Sequence, residues 1–521
     1  MISVFTLLRS AGPYTLLPLA MVALLSACRS VTPDTRPAQH VLVIVIDTLR
    51  ADHLGTYGYS RGTSPFLDTL ALEGTVFTHA VTTSSFTGEA ISSLFTGQYP
   101  SATPWGAGWY ARPAPDATTL AMSFREQGYA TALFSNSPVL DAPEFYRGFD
   151  TTWCGTEFGL SGQGPRLVAR AMEWLEAHAD QPTFTYLHFL DPHSPYAPTE
   201  TYATRFGMPD TDAPLSLYED VRQQVPALRT SGFGPGDARF EDLVRRYDGE
   251  IAFIDDTVKG LFAGLEALGL KNDTLAVITS DHGEEFLEHG FVEHAWTLYP
   301  EVHRIPLILW EPGRIPATRN DATVSLVDIM PTLAALQELP SREGSGTPLL
   351  QSRDDGTWFA APSAAPRIME LLIQSRCLVR AVVQEDTLYV AYWQWRSPEE
   401  CATAAGALRK TRAALLDGSV EPVDTRGVIV KEALYDLATD PGAQHDISSA
   451  HPEAVARWRA HLLDYLKTCP PQLPDRFKAT RDETLLNEAE QQLLKNVSDE
   501  FLQPPAPGSP HDHALESLGY L

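Results

Sequence analysis

Four apolar, β-branched runs stop abruptly on polar side chains. VLVIVI closes on Asp47, ATALF on Ser135-Asn136, TFTYLHFL on Asp191-Pro192-His193, and LAVITS on Asp281-His282-Gly283. Runs that are apolar at nearly every position are buried on both faces, as the strands of a parallel sheet covered by helices must be. Helical patterns lie between them. ARAMEWLEAHA follows Arg166, and from Phe240 to Leu268 the residues Leu243, Tyr247, Ile251, Ile254, Val258, Leu261, Leu265 and Leu268 recur at spacings of three and four, which marks one buried helix face. The pattern predicts an α/β fold built on a large, mainly parallel sheet sandwiched by helices. In such sheets the ligand crevice lies at the carboxyl ends of the strands, where Asp47, Asn136, His193, Asp281 and His282 all fall.

The chain has 521 residues, enough for one large domain and a smaller one. Beyond Gln351 the texture changes: Leu378 to Trp395 reads as a hairpin, EALYDLATDPGAQHDISS as a strand with turns, and Glu453 to Leu466 as a helix. These predict an α+β subdomain over 351–468 behind a main domain over 40–350. A tail over 469–521 follows, with an amphipathic stretch from Leu485 to Phe501 and then PPAPGSP. No internal repeat is visible.

The N-terminus reads as a targeting segment. YTLLPLAMVALLSA is short for a membrane-spanning helix and has the length of a signal-peptide core, so 1–27 is expected to be a signal peptide. It ends in Leu25-Ser26-Ala27-Cys28, which resembles the lipobox of bacterial lipoproteins, with Cys28 as the lipidated residue and 28–39 as a polar tether. The chain is therefore expected on the cell envelope, anchored to the membrane by lipid and facing the periplasm or the exterior. Of the remaining cysteines Cys154, Cys377, Cys401 and Cys469, the pair Cys377 and Cys401 flanks the expected hairpin, although four thiols allow three pairings. With a formal net charge of -27, the chain is not suited to nucleic acid, and an anionic ligand needs a local cation to hold it. A bound metal supplies one economically.

Six segments carry a family resemblance. VIDTLRADHLGTYGY, SLFTGQYP, DPHSPY, TSDHGEEFLEHG, ALYDLATDPGAQHDI and ESLGYL resemble, in order, motifs of the sulfatase family in the alkaline phosphatase superfamily. The likeness runs from about residue 40 to about residue 465, with the last segment in the tail. It implies an alkaline phosphatase-like fold and one divalent metal ion held by Asp47, Thr87, Asp281 and His282. Hard carboxylate and hydroxyl oxygens suit Ca, Mg or Mn, and an imidazole also admits Mn or Zn. By the same resemblance His193 and His294 are the candidate general acids and Asn136 a candidate substrate contact. Arg50, Asp52 and His289 lie in the motifs without an assigned role, and Tyr247 and Asp248 are expected to pack or to support the site from the long helix.

The nucleophile segment departs from the family. Formylglycine sulfatases carry C/S-x-P-x-R ahead of an apolar pair and Thr-Gly. Counting back from Thr96-Gly97 puts Thr87 at the Cys/Ser position, Glu89 at the Pro and Ile91 at the Arg. Threonine cannot become formylglycine, so none is expected. The segment is closer to relatives with S-W-T-x-P-S-x-A-S-L-L-T-G, whose threonine nucleophiles accompany phosphorus-ester chemistry. The resemblance thus implies a metal-dependent hydrolase of sulfate or phosphate/phosphonate esters with Thr87 as nucleophile, acting on an anionic glycan, lipid or small molecule. Two alternatives stay open: an envelope phosphoryl transferase, and a catalytically degenerate, metal-containing lipoprotein that binds glycans.

Overall fold

The computed structural model of the chain describes residues 36–102, 112–114, 116–156, 162–208, 234–354, 357–361, 365–373, 377–394 and 428–469. The signal peptide, Cys28, Cys401 and the amphipathic stretch of the tail lie outside these residues, and so therefore does the expected Cys377–Cys401 pair. Cys154 and Cys469 form no disulfide among the described residues.

Sixteen strands are present among the described residues. In chain order they are β1 (His40–Ile46), β2 (Thr75–Val81), β3 (Ala130–Ser135), β4 (Thr151–Cys154), β5 (Thr183–Phe189), β6 (Thr274–Thr279), β7 (Glu285–Phe286), β8 (Val292–Glu293), β9 (Leu307–Trp310), β10 (Thr318–Ser325), β11 (Leu350–Ser352), β12 (Trp358–Ala360), β13 (Arg367–Ile373), β14 (Cys377–Gln384), β15 (Thr387–Gln394) and β16 (Val428–Asp436). Eight form the main sheet in the order β10-β2-β9-β6-β1-β5-β3-β4. Only β9 runs against the rest, pairing antiparallel with β2 and β6. β1 lies between β5 and β6, parallel to both. Two antiparallel steps return β2 to the direction of β1, so β1, β2, β3, β5 and β6 all point their carboxyl ends at one edge of the sheet.

Both faces of this sheet are dry. Val41, Val43 and Val45 of β1 pack with Ala90, Ile91, Leu94 and Phe95 of the helix Thr87–Thr96, and with Leu333 and Leu336 of the helix Ile329–Leu336. Leu42, Ile44 and Ile46 point the other way, against Leu243, Tyr247, Ile251, Ile254, Val258, Leu261 and Leu265 of the helix Ala238–Ala267. Each such side chain taken out of water stabilises the fold by roughly 1.5–3 kcal/mol, so the alternation fixes strand register.

The smaller unit is a four-stranded antiparallel sheet, β13-β14-β15-β16. One face packs Met369, Leu371, Val379 and Tyr435 on Val81, Leu298 and Tyr299 of the main domain. The other is covered by Val455, Trp458, Leu462 and Leu466 of the helix Pro452–Thr468. No helix among the described residues is long and apolar enough to cross a membrane.

Candidate active site

The crevice starts where β1 ends. Asp47 is fully buried, and Thr48 after it adopts a left-handed backbone with φ 55°. That turn is held from three sides. Thr48 N–H donates to Asp281 Oδ1 at 3.1 Å, Leu49 N–H to Ser280 Oγ at 2.9 Å, and Arg50 N–H to the Tyr247 hydroxyl at 2.9 Å. Asp281 and His282 follow β6 after Ser280, and both are fully buried. Gly283 comes next because a Cβ there would sit 2.1 Å from the carbonyl oxygen of Glu301.

The segment 82–86 leads from the end of β2 into the helix that begins at Thr87. The Thr87 hydroxyl stands 3.2 Å from His282 Nε2. His282 Nδ1 donates to the carbonyl of Gly283 at 3.0 Å, which leaves Nε2 as the atom that faces Thr87. The helix has no side-chain cap at Phe86, so its positive end abuts a crevice suited to anions.

Charge at this point is unbalanced. Asp47 Oδ1 and Asp281 Oδ2 are buried without a hydrogen-bond partner. Burial, and then the neighbouring Asp281, push the Asp47 carboxyl well above the usual carboxylate range. Two carboxylates sharing a dry site stay ionised together only when a cation meets them. The donor set of two carboxylates, an imidazole and a hydroxyl therefore fits a divalent ion.

A row of imidazoles continues from it. The His294 ring lies 4.4 Å from that of His282 and 4.9 Å from that of His193, centroid to centroid. His294 Nδ1 is 2.9 Å from Glu284 Oε1, and the other oxygen of Glu284 accepts the Tyr196 hydroxyl at 2.8 Å. Burial and the nearby Glu293 push Glu284 well above the usual range. Left-handed backbones at Glu293 and Ala295 present His294, and Ala295 N–H is tied to the carbonyl of Ser85 at 2.9 Å, two residues from Thr87. His193 Nδ1 donates to the carbonyl of Ser194 at 2.8 Å.

The geometry is matched by kinship. The Sulfatase family model matches residues 39–338. The chain belongs to the sulfatase family. The chain is 25% identical over 394 residues to iduronate 2-sulfatase of Homo sapiens, spanning 59% of this chain and 70% of that one. It is 24% identical to the N-acetylgalactosamine-6-O-sulfatase of Bacteroides thetaiotaomicron, over 58% of this chain and half of the relative. In architecture it is similar to the phosphonate monoester hydrolase of Silicibacter pomeroyi, with TM-score 0.62 and 20% identity over 83% of this chain and 96% of that one. The protein is a sulfatase-like ester hydrolase of the alkaline phosphatase superfamily.

In this sulfatase-family chain the fold brings Asp47, Thr87, Asp281, His282, His193 and His294 to one edge. Asn136 follows β3 and is buried. Its side-chain oxygen accepts the N–H of Leu190 at 3.0 Å and so fixes the start of the 191–196 loop. Ile91 is fully buried in the core, so its helix face offers the crevice no charge at that position. Glu89 is also buried, and it accepts the Ser84 hydroxyl at 2.5 Å across the turn that leads into Thr87.

Sequence reasoning passed over His188. It sits inside the apolar run of β5, fully buried, with Nε2 3.1 Å from Asp47 Oδ2 and Nδ1 2.9 Å from the Tyr186 hydroxyl. Burial lowers its pKa to about 4, so it faces Asp47 as a neutral imidazole and the pair is no ion pair. One polar ring in an otherwise apolar buried strand was the available signal.

Proposed function

We propose that the protein hydrolyses phosphate or phosphonate esters, with sulfate esters as the second substrate class, and that Thr87 is its nucleophile. The observation that carries this reading is the Thr87 hydroxyl at the start of its helix, 3.2 Å from His282 Nε2 and beside two buried carboxylate oxygens that accept no hydrogen bond. A divalent ion held by Asp47, Asp281, His282 and Thr87 would ease loss of the Thr87 proton and neutralise oxygens of the transferring group.

Thr87 Oγ, once deprotonated, attacks phosphorus in line. The bond from phosphorus to the leaving alcohol oxygen breaks, and an imidazole gives that oxygen its proton. His294, whose ring Glu284 holds, and His193, whose ring the Ser194 carbonyl holds, stand side by side as the two candidates. Water then attacks the phosphorylated threonine, the imidazole takes a proton from it, and the Thr87 oxygen leaves. Asn136 supports the reaction by holding the loop that carries His193. Cys28 carries the lipid that tethers the enzyme to the bacterial envelope, where anionic glycans and lipids are within reach.

The test is hydrolysis of matched aryl sulfate, phosphate monoester, phosphodiester and phosphonate esters, with Ca, Mn or Zn added, by the native protein and by Thr87→Ala. Loss of turnover of a phosphorus ester by about a hundredfold or more in the variant is expected. Equal rates in the two proteins would remove Thr87 as nucleophile. Metal uptake without any turnover would favour the glycan-binding alternative, consistent with the departures at Glu89 and Ile91.

A further inference from the structure

His188 lies at the centre of an arrangement that one hydrogen bond does not explain. A ring nitrogen of His188, a carboxylate oxygen of Asp47 and a carboxylate oxygen of Asp281 all lie within 4.8 Å of one another in a fully buried place, and Nε2 is the nitrogen that faces Asp47, at 3.1 Å. One ion with bonds of about 2.0–2.2 Å to nitrogen and oxygen gathers three such atoms with small side-chain movements. Two oxygens of these carboxylates, Asp47 Oδ1 and Asp281 Oδ2, have no hydrogen-bond partner. The far side of the His188 ring is anchored: Nδ1 is 2.9 Å from the hydroxyl of Tyr186, two residues back on the same face of β5. Tyr186 is itself wedged edge-on against Phe95 at 4.9 Å. An imidazole that binds a metal through one nitrogen is usually steered by a hydrogen bond at the other, and here Nδ1–H donating to Tyr186 would leave the Nε2 lone pair directed at the carboxylates.

We propose that His188 is a ligand of the ion in this crevice, so that Asp47 and Asp281 are joined by two imidazoles, His188 and His282. The inference rests on the crevice being a metal site, and it is independent of whether Thr87 is the nucleophile. Its consequence is selectivity. Calcium takes six to eight oxygens, and magnesium holds oxygens and water, whereas imidazole nitrogen favours zinc and other late first-row ions. A centre with two imidazoles on two carboxylates therefore discriminates against calcium and magnesium. The alternative is that His188 Nε2–H only donates to Asp47 Oδ2 and orients it, in which case the ring has no preference among ions.

The experiment loads the full-length protein with copper(II) and counts coordinated imidazoles by pulsed electron paramagnetic resonance, alongside competition between zinc and calcium. Two imidazoles are expected in the native protein, and one each in His188→Gln and His282→Gln. His188→Gln should lose about tenfold or more in zinc affinity while calcium affinity stays within about threefold. One imidazole in the native protein, or parallel losses for zinc and calcium in the variant, would overturn the assignment. The native count decides the matter even if the variant does not fold. Binding of no divalent ion would overturn the metal reading together with it, whereas one imidazole on a bound ion overturns the His188 role alone.

Discussion

The Tyr247 hydroxyl donates to the carbonyl of Thr48 at 2.6 Å and accepts the N–H of Arg50, bridging the left-handed turn that follows Asp47. Tyr247 is fully buried, and burial pushes its phenol well above the usual range, so it keeps the proton it donates. Its neighbour Asp248 accepts from His53, Tyr59 and Arg61 and pins the same segment from the long helix. Spacing alone placed both residues on the helix, but the atoms they hold could not be read from it. Tyr247→Phe leaves a buried N–H and a buried carbonyl without partners. It should cost about 1–3 kcal/mol in urea unfolding and weaken ion binding. A loss below about 0.5 kcal/mol would show the turn to be held by Asp281 and Ser280 alone.

The elements most legible in the sequence are those whose chemistry repeats. β1 is apolar on both faces because both are covered, so VLVIVI and its terminal Asp47 stood out. The expected helix from Phe240 to Leu268 runs from Ala238 to Ala267, and the expected hairpin is β14 with β15. β10 was invisible because its first five residues are exposed or half-buried and only the last three are buried. The antiparallel course of β9 depends on its neighbours β2 and β6, which no local pattern reports. The helix at Thr87 gave no cap signal, since Phe86 precedes it. His188 escaped because it lies within a strand, whereas the other crevice residues lie at or beyond strand ends.

At the scale of the molecule, the small sheet is clasped to the main domain near the crevice. His289 is 2.6 Å from Glu301 through Nδ1 and 3.0 Å from the carbonyl of Ala443 through Nε2, and its ring stacks 3.6 Å from that of Tyr299. Both acceptors are satisfied only by the imidazolium. Burial opposes that charge, but Glu301 outweighs it and the His289 pKa is raised. Glu285, which accepts the His289 N–H, is pushed up to about 7 by burial and by Glu301. Both groups bind protons more tightly folded than unfolded. The Glu285 contribution is lost between the usual carboxylate range and about pH 7, and that of His289 as pH rises through its raised value. Buried His188 and His303, with lowered values, act with the opposite sign, so the difference between native protein and His289→Gln isolates the clasp. Urea midpoints at about pH 6 and about pH 9 should show the native protein losing more stability on going to the higher pH than the variant does. Equal losses would dissociate His289 from the docking of the small sheet.

The most direct measurement is acid quenching of the protein during turnover of an aryl phosphate or phosphonate ester, followed by mass spectrometry of the peptide containing Thr87. The mass of one phosphoryl or phosphonyl group is expected on Thr87, and none on the corresponding peptide of Thr87→Ala. Turnover with that peptide unmodified, and undiminished in the variant, would contradict it.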